Sequence, residues 1–248
     1  MGLKESGLRG SLRNVSVGID AIPDSEADQK LVHRWLLSED SDPFEDSESD
    51  ADATNNGTTQ VTGDYAGGAA REGDGTDDHT NAGELSNFFT SGVVDEDHAV
   101  AFTLETTDTG RPAGARESGT NIHWEIRVGE TSSGSVSLRL IDDNINTNEV
   151  ESTANVTDGE KYRVVLNVIG NNVSDWEVYV NQTEGSNVAS DDGADLSDVA
   201  SITEDFIKFA TNNRGSASDH INIVIDDFCL FDDSLTSSEA QSYDNPWT

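Results

Sequence analysis

Cysteine, lysine and long apolar runs are all scarce in this chain, and each scarcity excludes something. A single cysteine, Cys229, rules out an intramolecular disulfide. It sits in the apolar run Phe228-Cys229-Leu230-Phe231, which predicts a buried structural thiol rather than a nucleophile. No window approaches the ~18 apolar residues of a membrane span, so no membrane insertion is expected. Residues 1–16 hold no apolar stretch of the kind a secretory leader needs. The expectation is a chain made in the cytoplasm that reaches an outside location by another route, such as release within a virus particle. There is no Gly-x-Ser-x-Gly elbow, phosphate-binding loop, zinc spacing or His-Glu-x-x-His. The histidines His33, His79, His98, His123 and His220 are dispersed and read as strand or loop residues.

Positive charge is the rarest commodity. Asp and Glu total 49 against 14 Lys and Arg, giving a formal charge of −35, with 33% hydrophobic residues and a mean hydropathy of −0.55. Low hydrophobicity with high net charge can mean disorder. Patterned apolar clusters such as Val164-Val165-Leu166-Asn167-Val168-Ile169 and Ile221-Asn222-Ile223-Val224-Ile225 argue against that. The composition fits adaptation to molar salt. There the Debye length falls to about 3 Å, self-repulsion is screened, and a carboxylate skin keeps the protein hydrated. The same sign of charge disfavours nucleic-acid partners.

The chain divides into an N-terminal arm, residues 1–24, and a body, residues 25–248. Over residues 1–22, Lys4, Arg9 and Arg13 stand against Glu5 and Asp20, a net of +1 in a chain that totals −35. Such an arm suits docking onto an acidic partner. After the turn Ile22-Pro23-Asp24-Ser25, the alternation of Leu31, His33 and Trp35 predicts a first strand over residues 31–37. Residues 38–60 and 63–83 are polar or Gly-rich and read as loops. Further strands are expected at 98–105, 121–129, 135–142, 161–169, 176–181, 206–211 and 221–231. Turn signals separate them at Thr109-Gly110-Arg111-Pro112, Ser133-Gly134, Asp158-Gly159, Gly170-Asn171 and Asn213-Arg214-Gly215. Only residues 234–243 look helical, with Leu235, Glu239 and Tyr243 on one face and Ser234 or Thr236 as the cap. The pattern predicts an all-β fold: a two-sheet antiparallel sandwich with one short C-terminal helix.

Four segments resemble, in order, the laminin-G-like (concanavalin A-like) jelly rolls of bacterial and archaeal surface proteins. They are His33-Arg34-Trp35-Leu36-Leu37 followed by Phe44-Glu45-Asp46-Ser47, and then Gly67-Gly68-Ala69-Ala70-Arg71-Glu72-Gly73-Asp74-Gly75-Thr76-Asp77-Asp78. Trp176-Glu177-Val178-Tyr179-Val180-Asn181 follows, and Ile225-Asp226-Asp227-Phe228-Cys229-Leu230-Phe231 with Leu235-Thr236-Ser237-Ser238-Glu239-Ala240 closes the series. Glu72-Gly73 stands where the family usually has Phe, and Gln182 where it has Gly. The resemblance implies a jelly-roll sandwich and a calcium held by Asp46 and Asp226. It does not imply an enzyme, because the paired-acid strand of the family's glycoside hydrolases has no match here. The segment Ala21-Ile22-Pro23-Asp24-Ser25 also resembles openings of proteins carried by haloarchaeal viruses.

The tryptophans give no exposed sugar platform. Trp35 and Trp176 fall at family strand positions, and Trp124 alternates with Ile122 and Ile126, so all three are expected in the core. Sequons at Asn14, Asn56, Asn155, Asn172 and Asn181 mark candidate glycosylation sites. The functional expectation is a non-enzymatic virion surface protein (tail fibre, spike or turret), acting as a homo-oligomer. Its arm would meet other virion proteins, and its loops would recognise host glycans or glycoprotein. A purely structural decoration protein and a carbohydrate-active enzyme are the alternatives.

Overall fold

The computed structural model describes residues 27–40, 42–49, 51–82, 97–117, 119–130, 132, 134–181, 183–184, 187–199, 202, 208–210, 212–213, 217–218 and 220–243. The N-terminal arm, Asn14 and Trp247 lie outside the described residues. In chain order the strands begin with β1 (Leu31–Trp35), β2 (Thr54–Asn56), β3 (Thr59–Thr62), β4 (Ala69–Asp74), β5 (His79–Asn81) and β6 (His98–Glu105). Next come β7 (Gly110–Arg116), β8 (His123–Val128), β9 (Val136–Ile141), β10 (Thr147–Ser152), β11 (Lys161–Val168) and β12 (Glu177–Val180). The last are β13 (Thr183–Glu184), β14 (Asn187–Asp191), β15 (Lys208–Phe209), β16 (Asn212–Asn213), β17 (Ala217–Ser218) and β18 (Asn222–Phe231). Two short α-helices, α1 (Leu196–Val199) and α2 (Ser237–Ser242), and 3-10 turns at Ala27–Gln29, Ala66–Gly68 and Val173–Asp175 complete the described elements.

The strands form two eight-stranded sheets, as expected for a sandwich, and a small β16–β17 pair. The first sheet runs β13-β12-β11-β6-β18-β4-β3, and β1 also pairs with β18. The second runs β14-β10-β9-β8-β7-β15-β5-β2. Every strand pair is antiparallel, which allows one face of each sheet to be apolar and the other polar. Strict alternation makes the facing surfaces. Val100, Phe102 and Leu104 of β6 and Trp124, Ile126 and Val128 of β8 all enter one core. Phe209 of the second sheet packs tilted against Phe228 at 4.5 Å and edge-on to Trp35 at 5.6 Å, so aromatic contacts tie the two sheets together. Trp35, Trp124 and Trp176 are buried, as the sequence predicts.

The outer face of the first sheet carries a second, smaller core. Ala99, Ala101, Val165, Tyr179, Cys229 and Phe231 point away from the partner sheet and are covered by Leu235, Ala240 and Tyr243 around α2. The helix starts at Thr236, whose hydroxyl accepts from the Glu239 amide while Glu239 accepts from the Thr236 amide, a capping box that satisfies two orphan donors. Asn167 on β11 clasps the approach to the helix by bonding both the N–H and the C=O of Leu235.

Several sequence expectations are corrected. The presumed loops 38–60 and 63–83 contain β2, β3, β4 and β5, and the presumed turn at Thr109–Pro112 runs into β7. β7, β10, β13, β14, β16 and β17 also fall outside the strands that the sequence predicts. These strands are polar, small-residued or only two to four apolar positions long, so backbone pairing rather than side-chain pattern defines them. Gly73, at the position where the resemblance would place Phe, is buried, and a Cβ there would meet the Ala210 Cβ at 2.7 Å.

Candidate functional site

Register decides what each sheet shows on its outside. On the second sheet His123, Glu125 and Arg127 of β8 alternate with the core residues of the same strand. Glu125 lies opposite Arg139 of β9, Arg139 opposite Glu149 of β10, and Arg127 opposite Ser137. On the other side of β8, Arg116 lies opposite His123, and Gly114 lies between Glu125 and Lys208 of β15. A bulge between Gly110 and Ala113 turns Arg111 onto the same face. Half of the described Lys and Arg side chains therefore share one sheet face: Arg111, Arg116, Arg127, Arg139 and Lys208, against Lys30, Arg34, Arg71, Lys161 and Arg163 elsewhere.

Glu125 is the hub. It is 0% exposed, with Arg111 Nε at 3.3 Å, Arg139 Nη1 at 3.6 Å, Arg127 Nε at 3.9 Å and His123 Nδ1 at 3.9 Å. Glu130 holds Arg111 at 3.3 Å and Arg127 at 2.8 Å, and Glu149 holds Arg127 at 3.1 Å. Ser137 donates to Glu149 at 2.6 Å, and Arg139 donates to the Thr147 hydroxyl at 3.2 Å. Burial opposes the Arg127 charge, but Glu130, Glu149 and Glu125 outweigh it and raise its pKa. The guanidinium forks are thus fixed before any ligand arrives. Arg111, Arg127 and Arg139 keep 11%, 14% and 24% of their side-chain surface in solvent.

The first sheet treats its charges differently. β18 carries a bulge between Asp226 and Cys229 relative to β6, with Asp227 at φ 47°, a left-handed conformation that Asp tolerates. The extra residue turns Asp227 to the same outer side as Asp226. There Asp227 pairs with Arg163 at 3.2 Å and Arg34 at 2.7 Å, and its carbonyl accepts from Arg163 at 2.9 Å. Arg163, Asp226 and Asp227 are all buried, and Tyr243 closes over the Arg163 guanidinium at 5.4 Å. Burial and the Asp227 charge push Asp226 up to about 7, although the Ala66 amide, Arg163 and its own neighbouring amide pull the other way.

Asp46 and Asp226 do not fit a shared calcium. Asp46 Oδ1 accepts from the Arg34 and Glu48 amides, and Oδ2 takes His33 Nδ1 at 2.7 Å and the Ser49 hydroxyl at 2.6 Å. Burial opposes its ionisation, but these bonds overcome it and hold the carboxyl below its ordinary range. All its acceptor positions are thus occupied by donors. Asp226 bonds the Ala66 amide at 2.7 Å and faces the Arg163 cation, and the two aspartates share no partner. Among the described residues, the one group of three acids close enough to share an ion is Asp74, Asp77 and Asp78, in the turn between β4 and β5. They lie at the surface, where clustered acids are ordinary in a chain of this composition.

No protein-family profile matches the chain. No curated protein matches it either. Solved structures do match in fold. The binding domain of Paraclostridial Mosquitocidal Protein 1 superposes with a TM-score of 0.63 at 12% identity, covering 87% of this chain and 52% of that one. A botulinum neurotoxin type C structure, described as dependent on two ganglioside molecules for cell entry, gives 0.64 at 11% identity over 90% and 52%. The binding domain of botulinum neurotoxin DC with rat synaptotagmin II gives 0.64 at 11% over the same shares. At this identity the likeness establishes the two-sheet sandwich alone, and the chain spans about half the length of each neighbour.

Proposed function

We propose that this chain is a non-enzymatic recognition module that binds acidic glycans through the arginine ladder of its second sheet. One observation carries the reading: a molecule of formal charge −35 places half of its described cations on one preorganised face. Arginine forks match carboxylate and sulfate geometry in two parallel hydrogen bonds. The acidic body is no obstacle in brine, because ~3 Å screening at molar salt removes long-range repulsion and spares contacts at hydrogen-bond distance. The neighbours in fold space are binding domains of toxins, with ganglioside and protein receptors named for them, which agrees with a binding role. The composition and the haloarchaeal-virus-like opening support display on a virus particle, with residues 1–24 as the docking arm and a homo-oligomer as the working form.

The test is glycan binding by the purified chain in molar potassium chloride, using sialylated, sulfated and neutral oligosaccharides as probes. Arg127→Gln and Arg139→Gln should each weaken binding of the acidic probes about tenfold or more, the worth of one charge-assisted contact. Equal binding by both variants, or preference for the neutral probes, overturns the reading.

A further inference from the structure

Three residues on the outer face of the first sheet share one row. Arg163 of β11 lies opposite Thr103 of β6, and Thr103 lies opposite Asp226 of β18. Opposed side chains in an antiparallel pair have Cβ atoms about 4.5–5.5 Å apart. All three are buried. Each also keeps a polar atom without a hydrogen-bond partner: Nε and Nη2 of Arg163, Oγ1 of Thr103 and Oδ1 of Asp226.

A buried polar atom left unsatisfied costs about 1–3 kcal/mol, so several in one row ask for a common explanation. Direct bonding does not supply it, since the row's own side chains lie beyond hydrogen-bond reach at these atoms. At its Asp226 end the row meets the turn at Tyr65–Gly68, and at its Arg163 end it lies under Tyr243. Ala66 donates its amide to the other Asp226 oxygen at 2.7 Å, and Tyr65 donates to Glu105 at 3.0 Å. Lys161 lies 3.7 Å from the centre of the Tyr65 ring and donates to Asp64 C=O.

We propose that the row Arg163–Thr103–Asp226 encloses a resident internal water, which joins the three side chains and so fastens the Tyr65–Gly68 turn to the sheet. A water has the right inventory: it accepts from the Arg163 N–H, donates to the Asp226 carboxyl oxygen, and either donates to or accepts from the Thr103 hydroxyl. The charged and titratable groups around it are Arg163 from β11, Asp226, Asp227 and Cys229 from β18, Glu105 from β6, Glu72 from β4, Arg34 from β1, Tyr65 from the turn and Tyr243 after α2. A halide is the poorer occupant, because it can only accept and Asp226 offers it an oxygen.

Oxygen-17 relaxation dispersion of the full chain in brine counts long-lived internal waters. Thr103→Val should remove one water from the wild-type count, while Thr103→Ser and Asp226→Asn, which keep a polar atom in the row, should retain it. A Thr103→Val protein that is folded by circular dichroism and keeps the full count overturns the proposal. Where Thr103→Val does not fold, a crystal structure of the unsubstituted chain grown with bromide decides. Density within about 3.2 Å of at least two of the three side chains, without anomalous signal, supports the water. An empty row, or an anomalous bromide peak, overturns it.

Discussion

The outer faces of the two sheets use the same residue types to opposite ends. On the first sheet Arg163 is sealed under Tyr243, bonded to Asp227, and flanked by the small core that α2 completes. On the second sheet Glu125 is the sealed member, and the arginines around it keep an edge in solvent. A buried cation fixed by a buried anion contributes to structure alone. A buried anion surrounded by partly open cations, here with Glu130 and Glu149 among them, is the arrangement that the proposed glycan binding uses. The difference lies in which partner is covered, and register sets that.

The first way to test this contrast is to remove the anion on each face. Asp227→Ala removes the carboxylate that Arg163 and Arg34 share, leaves only Asp226 facing Arg163, and should destabilise the fold by about 3–5 kcal/mol in denaturant titration, the usual penalty for breaking a buried pair. A loss under 1 kcal/mol would mean that the first face is as tolerant as the second. Glu125→Gln should cost less, about 2–3 kcal/mol, because the arginines it abandons retain Glu130, Glu149 and water. If it costs more than Asp227→Ala, the second face is the structural one.

A smaller effect sharpens the comparison through pH. Asp226 holds its proton up to about 7 in the folded state and releases it near 3.8 when unfolded. Folding therefore takes up a proton between these values. The stabilisation is complete below about 4, declines as pH rises to about 7 and is flat above. Asp226→Asn should flatten the slope between pH 4 and 7 measured by thermal unfolding. A variant with the wild-type slope would place the titrating group elsewhere. Asp46 works with the opposite sign, its contribution being lost only as pH falls through its depressed pKa.

Much of the fold could be read from alternation. His98–Glu105 matches its expected bounds, and the inner faces of β8, β9 and β11 follow from Trp124-x-Ile126, Leu138-x-Leu140 and Val164-x-Leu166. β10 could not be read so, since Thr147-Asn148-Glu149-Val150-Glu151-Ser152 holds one apolar residue and its outer face is the acidic half of the ladder. The ladder had a signal in His123-Trp124-Glu125-Ile126-Arg127 and Leu138-Arg139-Leu140, where charges alternate with core residues. What the sequence lacked was the pairing that lays Arg139 beside Glu125. The bulge at Asp226–Cys229 was equally hidden, because strict alternation from Ile225 would have sent Asp227 into the core and Phe228 to the outside. The aspartates named for calcium were recognised from local resemblance, which does not reveal that Asp46 is engaged by its near neighbours His33, Arg34, Glu48 and Ser49, or Asp226 by the distant Ala66 amide.

β18 binds β6 along one edge and divides its other edge between β4 and β1. It is also the final strand in the described chain, so three earlier strands wait for it. Until about residue 231 has left the ribosome, β1, β3 and β4 have no route into their sheet, so that flank of the first sheet assembles only once β18 is made. Assembly that depends on such distant pairings is slow, on the millisecond-to-second scale typical of all-β domains. During that interval the hydration of so many carboxylates, rather than their long-range repulsion, keeps exposed edges from meeting other nascent chains.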